Sequence, residues 1–184
     1  MRPVVTDFHI PTFEAERVRL EPLGSMHSRG MFDLWREAAV CEYAGPAFDA
    51  DGNTIDLPAR SQSESDRLIR YWVDRSRAGT GFRWAVILRE PSEFIGAVGF
   101  NALGPCSEYA YHFVPQFWGS GLASEASRLA LSWAFSEYSE CVELFIETDN
   151  IKSTRLAEGL GFELQTRMQD ELPRYVLAEE QLGA

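Results

Sequence analysis

A chain of 184 residues suits one domain with a real core, and a 45% apolar share is that of a globular rather than a disordered protein. A net charge of −11 argues against general nucleic-acid binding, which leans on clustered Lys and Arg, and weakly favours a neutral or cationic partner; acidic surfaces also serve solubility alone. No stretch has membrane-span length or signal-peptide character, and Cys41, Cys106 and Cys141 offer neither metal spacing nor a disulfide framework, so a reducing cytoplasm is expected.

In chain order, residues 1–15 read as an arm, with two prolines and little periodicity over Met1–Thr12. Arg17-Val18-Arg19-Leu20-Glu21 alternates as a half-buried strand. Ser25 can cap a helix to about Glu37, with Met31, Leu34, Trp35 and Ala38 on one stripe. Residues 41–62 carry turn signals and almost no apolar pattern, which makes them a long loop: a substrate lid or a mobile linker. Ser63 and Asp66 resemble a capping box for a helix that turns Leu68, Ile69, Trp72 and Val73 inward. Phe82–Arg89 and Phe94–Asn101 form a hairpin, and Gly96 and Gly99 imply a bulge or close backbone approach. Further on, Val142–Thr148 is a strand, Lys152–Leu160 a short helix closed by Gly161, and Arg174–Leu177 a last strand.

The stretch Ser107–Leu131 organises the rest. Glu108–Val114 is a strand rich in aromatic residues, and Pro115, lacking an N–H, ends its ladder. Leu122, Ala126, Leu129, Ala130 and Trp133 recur at helical spacing. Gly119 and Gly121 let the chain turn sharply between strand and helix. N–H groups at a helix start lack intrahelical partners and carry the positive end of the dipole, which suits a phosphate.

Val114 to Ala126, VPQFWGSGLASEA, resembles the acetyl-coenzyme-A loop of the GNAT superfamily: Gln or Arg, two residues, Gly, one residue, then Gly or Ala, here Gln116, Gly119 and Gly121. The Pro, the Trp-Gly and the following Glu-Ala look like the ribosomal-protein N-terminal acetyltransferase branch. Glu16–Leu20, Phe94–Phe100, Asn150–Ser153 and Gly161-Phe162 resemble other elements of that branch in the right order, so the match runs from about Glu16 to Leu177. The resemblance implies a single α/β domain with a mixed, mostly antiparallel central sheet of about six or seven strands, splayed in the middle and flanked by about four helices. It also implies direct transfer of acetyl from acetyl-CoA to an amine of a protein N-terminus or small molecule. Carried over residue by residue, backbone N–H groups of Trp118, Gly119, Ser120, Gly121, Leu122 and Ala123 would hold the pyrophosphate. Phe113 and Val114 would pair with the pantetheine arm, Asn150 would reach that arm, and Ser153 the phosphate or adenosine side. Homodimers are common in the branch.

Transfer needs a neutral amine, a polarised carbonyl and a proton for the leaving thiolate. Glu108 is the first candidate base: it begins the strand feeding the loop, and a glutamate there serves histone-acetylating relatives. The alternative is a strand-end glutamate meeting water or an arginine. His112 shares its face and is a base, a water-chain member or a core histidine. The Val114 N–H is the expected oxyanion donor. Tyr109, Tyr111 and Tyr175 could protonate a thiolate or simply pack. The superfamily's usual tyrosine acid falls here on Ala157, leaving that role unassigned. Cys106 reads as an ordinary loop thiol rather than a nucleophile, Glu125 as structural, and the histidines as no metal site. Competing readings are a CoA-binding regulator without transfer chemistry and a transferase for another acyl-CoA such as succinyl-CoA.

Overall fold

The computed structural model describes residues 9–165 and 172–182. β5 (Phe82–Leu88) and β6 (Glu93–Ala102) form the expected hairpin at its centre, and β7 (Cys106–Phe113) extends it antiparallel. On one side lie β2 (Val18–Pro22) and the edge strand β1 (Phe13–Glu14). On the other, β8 (Cys141–Phe145) runs parallel to β7, followed by β10 (Arg174–Ala178) and the edge strand β9 (Glu163–Leu164). The order is β1-β2-β5-β6-β7-β8-β10-β9, eight strands against an expected six or seven, the addition being the two-residue edge β1 inside the expected arm. The fold is the mixed α/β sheet expected. Part of the N-terminal arm is strand β1, and Pro11 accepts a hydrogen bond from Trp84 Nε1 (2.7 Å); residues 1–8 of that arm lie outside the described residues.

Period-two alternation gives the sheet two apolar faces. Phe82, Trp84 and Val86 face α4 (Leu122–Glu137), where Trp133 sits edge-on 5.3 Å from both the Phe82 and Trp84 rings. Ala85, Ile87 and Ala97 face α1 (Ser28–Trp35) and α3 (Gln62–Arg77), meeting Met31, Leu34, Leu68 and Ile69. Gly96 and Gly99 do mark close approach: a Cβ at either would lie 2.4 Å from the His112 carbonyl oxygen or 2.2 Å from that of Phe82.

Three local expectations are corrected. The helix expected from Ser25 to Glu37 is a 3₁₀ turn, then α1, then a separate short α2 (Ala38–Cys41). The cap of α3 is Ser61, whose Oγ accepts the Glu64 N–H while Glu64 accepts the Arg60 N–H; Asp66 instead accepts from Ser28 Oγ on α1. Residues 41–62 are not a featureless loop. They hold the hairpin β3 (Ala47–Phe48) and β4 (Thr54–Ile55), organised by the buried Asp49 carboxylate. Asp49 accepts from Arg67 and from the N–H groups of Asp51 and Asn53; Arg67 above all, against the opposing effect of burial, holds it at about 2.

The cysteine reading is also overturned. β7 and β8 pair in parallel with Cys106 opposite Cys141, which brings their Cα atoms to 4.5 Å, and the two are joined in a disulfide. Thirty-five residues of intervening sequence hide that register. Neither the loop thiol nor the nucleophile considered for Cys106 survives, and cysteine spacing no longer speaks for a reducing compartment. Cys41 is the free thiol, raised by burial and then by Glu37. Thiol titration of the denatured, unreduced protein should therefore find one reactive cysteine of three. Reduction should lower folding stability by about 2–4 kcal/mol in a denaturant titration.

Candidate active site

Pairing between β7 and β8 covers only Cys106–Glu108 against Cys141–Glu143. Beyond Glu108 the two strands part, leaving one edge of β7 unpaired. Which backbone groups face that gap follows from the other edge. The Val114 N–H donates to Ile95 O (2.9 Å), and antiparallel alternation then turns the N–H and C=O of Tyr111 and Phe113 toward the gap. The Phe113 carbonyl takes the Trp118 indole N–H at 2.7 Å. Val114 is thus committed to β6 rather than free to receive an oxyanion, and Phe113 is the residue at that end whose N–H faces the opening.

The far wall is the start of α5 (Ile151–Gly159). Asn150 caps it, its Oδ1 accepting the Ser153 N–H at 3.2 Å. The Ser153 hydroxyl lies 2.6 Å from Tyr111 OH, tying α5 to β7 across the gap. Burial, eased by this bond, pushes the Tyr111 phenol up to about 12. Lys152 places Nζ 4.4 Å from the Trp118 ring centroid, so α5 also meets the loop before α4.

That loop closes the end of the gap. Pro115–Phe117 makes a 3₁₀ turn, and Gly119 (φ 71°) and Gly121 (φ 80°) take left-handed conformations that side chains resist. The Trp118 N–H is used by Pro115 O. The N–H groups of Gly119, Ser120, Gly121, Leu122 and Ala123 donate to no acceptor among the described residues, as a helix start demands. Arg17 fixes the loop from outside: its backbone N–H and Nε bond both Glu125 oxygens (2.7 and 2.8 Å), and Nη1 bonds Ser120 O (3.0 Å). Burial alone would raise the Glu125 carboxyl; the Arg17 hydrogen bonds and charge outweigh it and hold it low.

The sheet face toward α1 and α3 carries Glu108, Ala110 and His112. The His112 ring lies 4.6 Å from that of Trp35, whose buried Nε1 has no hydrogen-bond partner among the described residues. Burial, then the Arg83 charge, pushes His112 down to about 3, so it is neutral near pH 7. Glu108 accepts from Asn101 Nδ2 at 2.5 Å. Beside it in parallel register, Glu143 is paired with Arg174 (2.6 Å). Tyr109, raised by burial, bonds Ser127 on the opposite face, and Tyr175 is buried. Ala157 is fully buried, so no titratable group stands where the superfamily tyrosine would. Sequence reasoning missed Arg17, Asn101, Arg83 and Trp35 as neighbours of these residues. An arginine within a strand that otherwise reads as core, Arg83, was the available signal.

A model of the acetyltransferase (GNAT) domain matches residues 17–163. The chain belongs to the GNAT acetyltransferase family. It is 26% identical over 157 residues to the uncharacterized N-acetyltransferase YoaA of Bacillus subtilis (strain 168), covering 83% of each chain. Its fold is similar to that of RimL, a ribosomal L7/L12 alpha-N-protein acetyltransferase in complex with coenzyme A (TM-score 0.73, 16% identity, 91% of this chain and 98% of that one). It is likewise similar to spermidine N-acetyltransferase from Vibrio cholerae in complex with CoA and spermine (TM-score 0.71, 17% identity, 90% and 97%).

The grip of Glu125 on Arg17 has a testable pH signature. A carboxyl held low in the fold stabilises it above the ordinary glutamate value and loses that effect as pH falls through its own. Glu125→Gln should cost about 1–2 kcal/mol at pH ~7, because Arg17 is half exposed, and the difference from wild type should shrink toward pH ~3 in urea titrations.

Proposed function

We propose that this GNAT protein transfers an acetyl group from acetyl-CoA to a primary amine of a small molecule or protein N-terminus. One observation carries the reading: the row of unpartnered N–H groups from Gly119 to Ala123 opens beside the unpaired edge of β7. The first suits a pyrophosphate and the second an amide-bearing arm, and coenzyme A joins the two chemistries in one molecule. When bound, acetyl-CoA supplies an acyl group activated as a thioester. Asn150, with Nδ2 left over from capping, and Ser153 border the same gap.

The chain's own residues then divide the work. Glu108 takes the amine proton, directly or through water, and the neutral imidazole of His112 serves only as a hydrogen-bonding or packing group. The N–H of Phe113, in place of that of Val114, polarises the carbonyl. The loop between α2 and β3 supports a cationic acceptor. There Tyr43 is raised by burial and then by the charges of Asp149, Glu42 and Glu147, so this rim of the loop lies in an acidic field. Acceptors of the two named neighbours, a protein N-terminus and a polyamine, are both amines that such a rim would attract.

Incubation with acetyl-CoA and an amine panel, following release of free CoA thiol, should show turnover on at least one amine. Binding of CoA without turnover on any would overturn transfer in favour of a regulatory role, and failure to bind CoA would overturn the whole reading. Glu108→Gln should lower kcat by about a hundredfold while CoA affinity holds, and an unchanged rate would remove Glu108 from the reaction.

A further inference from the structure

Arg83 lies on β5 within the core, 5% exposed, and forms no salt bridge among the described residues. Its guanidinium carbon stacks 3.6 Å from the centroid of Trp72 on α3, Nη1 bonds Phe82 O at 3.0 Å, and Nη2 bonds Asn101 Oδ1. Burial pulls Arg83 down to about 9, and the charges that pull it back are those of Tyr109, Glu108 and Tyr71. Glu108 is the only carboxylate among them. A buried cation is costly unless its field and donors are answered. Here the answering carboxylate is one amide away.

That amide belongs to Asn101. The β6–β7 register slips between Phe100 and Ala102: Phe100 pairs with Tyr109 and Ala102 with Glu108, so Asn101 is the extra residue of a bulge. A bulge re-aims a side chain, and this one sits between strands β5 and β7. Asn101 is held at three points. Its carbonyl takes Arg75 Nη2 (2.6 Å), Oδ1 takes Arg83, and Nδ2 gives to Glu108 Oε1 (2.5 Å). An arginine can only donate and a carboxylate only accept, so one orientation of the amide satisfies both neighbours.

Resting on the reading of Glu108 as the base, we infer that Arg83 and Asn101 are positioning residues for it: the bulged amide transmits the fixed position of the stacked guanidinium to the Glu108 carboxylate. Few side chains could do this. Aspartate at 101 would set carboxylate against carboxylate, and alanine or leucine would release Glu108 to other rotamers. Lysine at 83 keeps the charge but loses the planar stack and fork.

The test is a double-mutant cycle on turnover with acetyl-CoA and an accepted amine. Asn101→Ala should lower kcat about ten- to a hundredfold with KM for acetyl-CoA within about twofold, Asn101→Asp more, and Arg83→Lys less. In the Glu108→Gln background each should cost less than about twofold more, because its effect runs through a carboxylate already removed. Losses that multiply instead would show an independent, structural role and overturn the inference while leaving Glu108 as base. No effect of Glu108→Gln, or no transfer by the wild type, would overturn the underlying reading and this one with it. Should Arg83→Lys fail to fold, the two Asn101 variants, on the sheet's bulge and only partly buried, decide the matter.

Discussion

Everything distinctive in this molecule follows from a strand pairing that stops. Parallel β7 and β8 share three residue pairs and then separate, although a sheet gains by continuing. Two features compensate. The Cys106–Cys141 bond holds the strands together at the closed end, and the Tyr111–Ser153 contact with the Trp118–Lys152 stack spans the open end. Between them the edge of β7 turns the backbone N–H groups of Tyr111 and Phe113 into the gap, while the Phe113 carbonyl is taken by the Trp118 indole. An edge of that kind is normally blunted or covered. Here the ends of α4 and α5 stand beside it instead, which in the proposed reading keeps the edge for a ligand strand.

The same gap explains where the charges sit. In the proposed reading an acidic protein holds an anionic donor, which requires its carboxylates to be kept from the loop before α4, and the one acid in the first turn of α4, Glu125, is turned onto Arg17. That pair leaves the N-terminal dipole of α4 unopposed and fixes the Ser120 carbonyl away from the loop's donors. Elsewhere, Tyr43 in the loop between α2 and β3 feels the charges of Asp149, Glu42 and Glu147.

How much of this the sequence disclosed depended on the range of the interaction. Elements with strong periodicity, β5, β6 and α4, and the glycine loop were legible because local residue types dictate them. The hairpin β3–β4 was not, since its organiser is one buried aspartate whose partner, Arg67, lies a helix away. The Cys106–Cys141 bond was hidden for a related reason: parallel register is set by a crossover helix and leaves no local trace. Glu108 was proposed as the base from its place in the strand. Its neighbours Asn101 and Arg83 were not, because a bulge shifts facing by one residue, and alternation cannot anticipate where the extra residue falls.

In the proposed reaction one short strand, β7, serves two substrates. A strand projects in three independent directions: two side-chain faces and an open backbone edge. Tyr109 and Tyr111 turn toward α4 and α5 and anchor the strand through Ser127 and Ser153. The edge at Tyr111 and Phe113 faces the gap. Glu108 and His112 occupy the remaining face, where Trp35 and Asn101 already meet them. A base placed on the anchoring face would be sealed behind α4, and one on the edge would block the ligand strand. Only the third direction reaches an acceptor while leaving the edge open, and it is the direction in which Glu108 points.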